Sequence, residues 1–136
     1  MVGIIITGHG EFASGLTNAL KLLTGDQDNI IGVNFKPQES ESDLQVHLKE
    51  ALQKLGKCEQ IFILCDILGG SPFKNAFTLF YDKENIRILY GVNLGMAVEL
   101  SIRAMSETGP TDMDAISEEL IAIGQQQIGK CMRPQI

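Results

Sequence analysis

Four short runs of β-branched and apolar residues, Val2 to Thr7, Ile30 to Phe35, Gln60 to Asp66 and Ile86 to Tyr90, are each followed by a stretch with helical periodicity. Nothing else in the chain constrains the fold as much. Neighbouring parallel strands need a crossover, a helix supplies it, and such βαβ units are almost always right-handed. The pattern therefore implies an α/β fold, a doubly wound and mostly parallel sheet flanked by helices. Four strands of this kind take the order 2-1-3-4, which reverses between the first and third strands and opens a crevice at their carboxyl ends.

The helical segments carry their own punctuation. The first, from about Phe12 to Thr24, places Phe12, Leu16, Ala19, Leu20 and Leu23 in one stripe and stops at Gly25. The second, about Glu41 to Leu55, aligns Leu44, Leu48, Ala51, Leu52 and Leu55, and Gly56 ends it. The third is expected to start at Ser71-Pro72, with the serine hydroxyl capping a free amide and proline, which has no amide hydrogen, in the first helical position. Two more, about Met96 to Met105 and Thr111 to Gln126, are separated by Gly109-Pro110. No repeat, low-complexity tract or linker intervenes, so residues 1–136 read as one domain.

Composition narrows the function classes. A net charge of −6 leaves no basic stripe for nucleic-acid phosphates or an anionic membrane, and favours protein partners with a basic face. The three cysteines, Cys58, Cys65 and Cys131, lack metal-ligand spacing. No metal or other cofactor is expected, and the cysteine usage fits a reducing compartment. With no apolar segment long enough to span a bilayer and no signal-peptide pattern, the expected location is cytoplasmic.

The first strand ends in Thr7-Gly8-His9-Gly10, and the third in Cys65-Asp66-Ile67-Leu68-Gly69-Gly70-Ser71-Pro72. The topology delivers both to the same crevice. His9 supplies a nucleophilic ring nitrogen. Asp66, accepting from one ring nitrogen, would fix the tautomer, leave the other nitrogen free and steady positive charge on the ring. Gly69, Gly70 and Ser71 open a helix whose free amides favour an anion by roughly 0.3–1 kcal/mol. Nucleophile, orienting carboxylate and anion cradle together describe phosphoryl transfer through a phosphohistidine. His47, Lys21 and Lys74 read as solvated side chains, and Cys65 as a small buried hydrophobe.

At these residues the chain resembles the mannose-type enzyme IIA of the bacterial sugar phosphotransferase system. The shared features are Thr7-Gly8-His9-Gly10, Phe12-Ala13-Ser14-Gly15-Leu16, Leu23 with Gly25, Phe35 with Pro37, Asp66 with Leu68-Gly69-Gly70-Ser71-Pro72-Phe73, and Gly91-Val92-Asn93-Leu94. The resemblance implies that His9 accepts a phosphoryl group from phosphorylated HPr and passes it to a histidine of the cognate enzyme IIB, with Asp66 bonded to His9. It implies contact with the membrane IIC/IID complex only through IIB, which is expected to be a separate chain. It also implies a cytoplasmic homodimer in which a short antiparallel carboxyl-terminal strand, here Ile128 to Met132, is exchanged. Mannose and glucose members usually have asparagine after Pro-Phe. Lys74 in that place looks closer to the galactosamine and N-acetylgalactosamine branch.

Three other readings compete. Gly8-x-Gly10-x-x-Ala13 fits a dinucleotide fingerprint, but no acidic residue closes the second strand. Ser71, His9 and Asp66 could form a hydrolase triad, although Ser71 lacks a nucleophile elbow. A phosphocarrier subunit of a dihydroxyacetone kinase shares the implied fold.

Overall fold

The strands form where β-branched residues crowd, and the two central ones are continuous apolar runs because helices cover both their faces. A computed structural model describes residues 1–106 and 110–135. In chain order its elements are β1 (Val2–His9), α1 (Phe12–Thr24), β2 (Ile30–Phe35), α2 (Glu41–Lys54), β3 (Gln60–Cys65), α3 (Gly70–Phe80), β4 (Ile86–Leu89), α4 (Leu94–Ser106) and α5 (Met113–Gln126). The strands are parallel and lie in the order β2-β1-β3-β4. The doubly wound α/β reading therefore holds, including its reversal between β1 and β3.

Alternation along β1 divides the core in two. Val2, Ile4 and Ile6 pack with Leu20, Leu100 and Leu120 on one face of the sheet. Ile5 packs with Leu44, Leu48 and Ile63 on the other. Helices α1, α4 and α5 thus cover one side, and α2 and α3 the other. Thr7 is fully buried among these apolar groups, and its hydroxyl donates to the Val33 carbonyl at 2.9 Å. That bond offsets the cost of burying it.

Several boundaries differ from the sequence reading. β1 runs two residues further, so His9 is its last residue and pairs in register with Phe35. α3 begins at Gly70 with Gly69 as its N-cap and has no side-chain cap, so Ser71 does not cap it. Gly69 and Gly70 have φ of +89° and +77°, which starts the helix ahead of the serine. α5 begins at Met113 because the Asp112 side chain accepts from the Ala115 amide. In α1 only Ala13 and Leu20 are buried; Phe12 and Leu16 pack half-buried against the core, Thr24 is half-buried with its hydroxyl meeting that of Ser101, and Leu23 is exposed. Gly109 of the expected Gly109-Pro110 break lies outside the described residues. In this single chain Ile128 to Met132 forms no strand and is exposed.

Candidate functional site

Register sets the site. Thr7 pairs with Cys65 across β1 and β3, so the next residues of both strands, Gly8-His9 and Asp66, leave the sheet side by side. The Asp66 amide donates to the Thr7 carbonyl at 3.2 Å, which carries the pairing one step beyond the strand. Gly8 is required for this approach. A Cβ there would stand 3.0 Å from Asp66 Cβ and Cγ and 2.7 Å from the Phe12 ring. On the other side, the Gly10 amide donates to the Phe35 carbonyl at 2.7 Å and fixes the end of the turn against β2.

Asp66 holds His9 twice through one oxygen. Its Oδ2 accepts from the His9 amide at 2.9 Å and from the Nδ1–H at 2.8 Å, while Oδ1 accepts from the Ile67 amide at 2.8 Å. The carboxylate side chain is only 11% exposed, whereas the His9 side chain is 46% exposed. Burial is the largest single influence on Asp66 and works against its charge. The His9 amide, the His9 ring and the Ile67 amide together outweigh it and hold the carboxyl below its ordinary ionisation range. With Nδ1 committed as a donor, the lone pair of the neutral imidazole lies on Nε2.

Nε2 faces the start of α3. A Cβ built on Gly70 would lie 2.8 Å from Nε2 and 2.7 Å from Cε1, so only glycine lets this backbone meet the ring. Gly70 therefore adjoins the free nitrogen, with Gly69 and Ser71 as its chain neighbours. The Ser71 hydroxyl does not reach back to His9. It donates to Glu41 Oε1 on α2 at 3.3 Å. A Ser71-His9-Asp66 triad is not assembled.

Glu41 escaped the sequence reading, together with the residues around it. Its Oε1 also accepts from Asn75 Nδ2 at 3.1 Å and lies 3.9 Å from Lys74 Nζ. The Asn75 amide and the Lys74 charge, with a smaller contribution from Ser71, hold the Glu41 carboxyl below its usual range against the opposing effect of burial. Asn75 is buried and fully engaged, since Nδ2 also donates to the Ser71 carbonyl and Oδ1 accepts from Gln45 Nε2. The only sequence signal for Glu41 is its place in the first turn of a well-capped helix, which does not say what that turn faces.

The remaining candidates stand apart. The His47 side chain is 47% exposed and its Nδ1 lies 3.0 Å from Glu39 Oε2. Lys21 pairs with Asp26 at the surface. Cys65 is buried beneath Asp66, and burial, with the Asp66 charge, pushes its thiol up to about 12, which leaves it protonated and inert. A cavity of about 490 Å³ between α1 and β2 is lined by Thr17, Lys21, Gln27 and Gly32, and does not include His9. No cluster of three or more metal-ligating side chains occurs among the described residues.

A family model described as "PTS system fructose IIA component" matches residues 3–117. The mannose-specific EIIAB component of Escherichia coli (strain K12) is 32% identical over 122 residues, which are 90% of this chain and 36% of that protein. This chain thus spans about a third of that relative's length. The fructose-specific EIIA component of Bacillus subtilis (strain 168) is 32% identical over 104 residues, 76% of this chain and 71% of that one. The crystal structure of an EIIA component from Streptococcus agalactiae superposes with a TM-score of 0.82 at 29% identity, covering 96% of this chain and 97% of that one.

Proposed function

The chain belongs to the mannose-type EIIA family of the sugar phosphotransferase system, and from that premise we propose that it is a phosphocarrier that works through His9. The Nε2 lone pair attacks the phosphorus carried by phosphorylated HPr. The donor bond to phosphorus breaks, its electron pair stays with HPr, and an Nε2–phosphorus bond forms. Nδ1 keeps its proton throughout, and Asp66 balances the positive charge that develops on the ring. The backbone at Gly69, Gly70 and Ser71 receives the phosphoryl oxygens at the positive end of α3. Enzyme IIB then takes the group onto its own histidine by the same steps in reverse. Membrane IIC/IID components are reached only through IIB.

The carrying observation is the 2.8 Å contact between His9 Nδ1 and Asp66 Oδ2, which leaves Nε2 free where Gly70 meets it. Half exposure of His9 suits a group passed between proteins, since both donor and acceptor must reach it. Lys74 supports an amino sugar such as N-acetylgalactosamine, with a mannose-type hexose as the other candidate. No helix among the described residues is long and apolar enough to cross a membrane, and a cytoplasmic homodimer is part of the proposal. So is the reading of residues 1–136 as one such domain.

Incubation with enzyme I, HPr and phosphoenolpyruvate tests it. The expected product is an acid-labile, alkali-stable adduct on His9 that His9→Ala abolishes. Labelling that survives His9→Ala and disappears with His47→Ala would overturn the assignment.

A further inference from the structure

We propose that Glu41 is a positioning residue that parks the Ser71 hydroxyl away from His9 and thereby raises the tendency of the phosphorylated protein to give its group up. This rests on the phosphocarrier reading and adds to it a device built from α2. Ser71 directly follows Gly70, the residue whose backbone meets Nε2. It is therefore the side chain of the cradle best placed to donate to a phosphoryl oxygen. A serine hydroxyl has one proton to give. In the unphosphorylated protein that proton goes to Glu41 Oε1, and a phosphoryl group on Nε2 can gain it only by breaking that bond.

The network is arranged for exchange. At 3.3 Å, the Ser71–Glu41 bond is the longest hydrogen bond in the cluster and the easiest to give up. Glu41 keeps its bond from Asn75 at 3.1 Å and its pairing with Lys74 when Ser71 turns away, so its carboxylate is not left bare. Asn75 also ties α2 to α3 through Gln45 at 2.7 Å, so the packing of the two helices does not depend on the serine. The bond from Ser71 to Glu41 is thus dispensable for the fold, yet it competes directly with the bound group. Weaker hydrogen bonding to the phosphoryl group means a phosphohistidine that transfers more readily.

The equilibrium of phosphoryl exchange with HPr, read by phosphorus NMR, tests this in the whole chain. Relative to the unaltered protein, Glu41→Ala should shift the exchange toward the phosphorylated form by about three- to tenfold, the scale of one hydrogen bond. Glu41→Gln retains an acceptor for Asn75 and should shift it less, in the same direction. Ser71→Ala should shift it the opposite way, and Glu41→Ala should have no effect in the Ser71→Ala background. The proposal is overturned if both Glu41 variants match the unaltered protein, or if Glu41→Ala acts equally with and without Ser71. An unaltered protein that takes no label from phosphorylated HPr overturns the phosphocarrier reading itself. Label at His9 with independent effects of the two residues overturns only the role of Glu41.

Discussion

Asp66 contributes to the site in two ways, and a single substitution separates them. Its Oδ2 orients the His9 ring and also bonds the His9 amide, so it fixes both side chain and backbone. In Asp66→Asn the fold should survive, because the single amide oxygen still accepts one of the two backbone bonds, from His9 or from Ile67, and one lost hydrogen bond costs about 1 kcal/mol. Phosphoryl transfer should slow, because the amide presents no charge to the imidazolium and can hold the wrong tautomer. The analogous change in a serine protease costs about 10⁴ in rate, and the loss here should be smaller because phosphoryl transfer asks less of a base. Rapid-quench transfer from phosphorylated HPr measures it, and an unchanged rate would remove Asp66 from the site. The same carboxyl predicts an acid dependence. Its folded pKa is lowered, so between the folded and unfolded values the unfolded chain binds more protons there. The contribution to stability is complete above the unfolded value of about 3.9 and is lost as pH falls from there through the folded value. Melting temperatures across that range should fall more steeply for the unaltered protein than for Asp66→Asn.

Helices α2 and α3 begin in opposite ways. α2 has a capping box: the Asp43 amide donates to Ser40 Oγ at 3.1 Å, and the Ser40 amide donates to Asp43 Oδ2 at 3.0 Å. Its first turn is thereby locked, and Glu41 with it. α3 begins on two glycines and has no side-chain cap. A self-capped helix start thus stands beside an uncapped one. Ser40→Ala should lower stability by about 1 kcal/mol, as loss of an N-cap generally does. Denaturant unfolding would register it as a lower midpoint with an unchanged slope, and a midpoint equal to that of the unaltered protein would show that the box contributes nothing.

At the scale of the molecule the unresolved business of the fold is its edges. β2 and β4 lie at the margins of the sheet, and an open edge is normally covered, charged or paired. Beside β4, Phe77 stacks between Phe73 and Tyr81, Tyr90 meets Phe73 edge-on, and Phe77, Tyr81 and Tyr90 are all at least half exposed. The tail beyond α5 is exposed at Ile128 and Met132 and bonds to no strand. Exchange of Ile128 to Met132 between two copies would pair the edge and cover these side chains in a closed twofold dimer. Removal of residues 128–136 should then weaken the dimer sharply while leaving His9 competent for labelling. Sedimentation of the 136-residue chain as a monomer at micromolar concentration would refute the exchange.

Strand and helix alternation determined the architecture from the sequence by itself. Periodicity is a local property, and a chain whose apolar runs each precede an amphipathic helix has few ways other than a doubly wound sheet to bury both faces. The position of His9 opposite Asp66 was legible for the same reason, since strand order carries the ends of β1 and β3 to one place. What the sequence left open was decided where two distant segments meet. Ser71-Pro72 reads as a capped helix start, yet the positive φ of Gly69 and Gly70 begins the helix earlier and frees the serine for Glu41. Leu23 fits the apolar stripe of α1, yet it is exposed, while the neighbouring Thr24 is half-buried with its hydroxyl on Ser101 of α4. Local pattern states what each residue can do, but a side chain with one proton to give is assigned its partner only when tertiary packing brings α2 against α3.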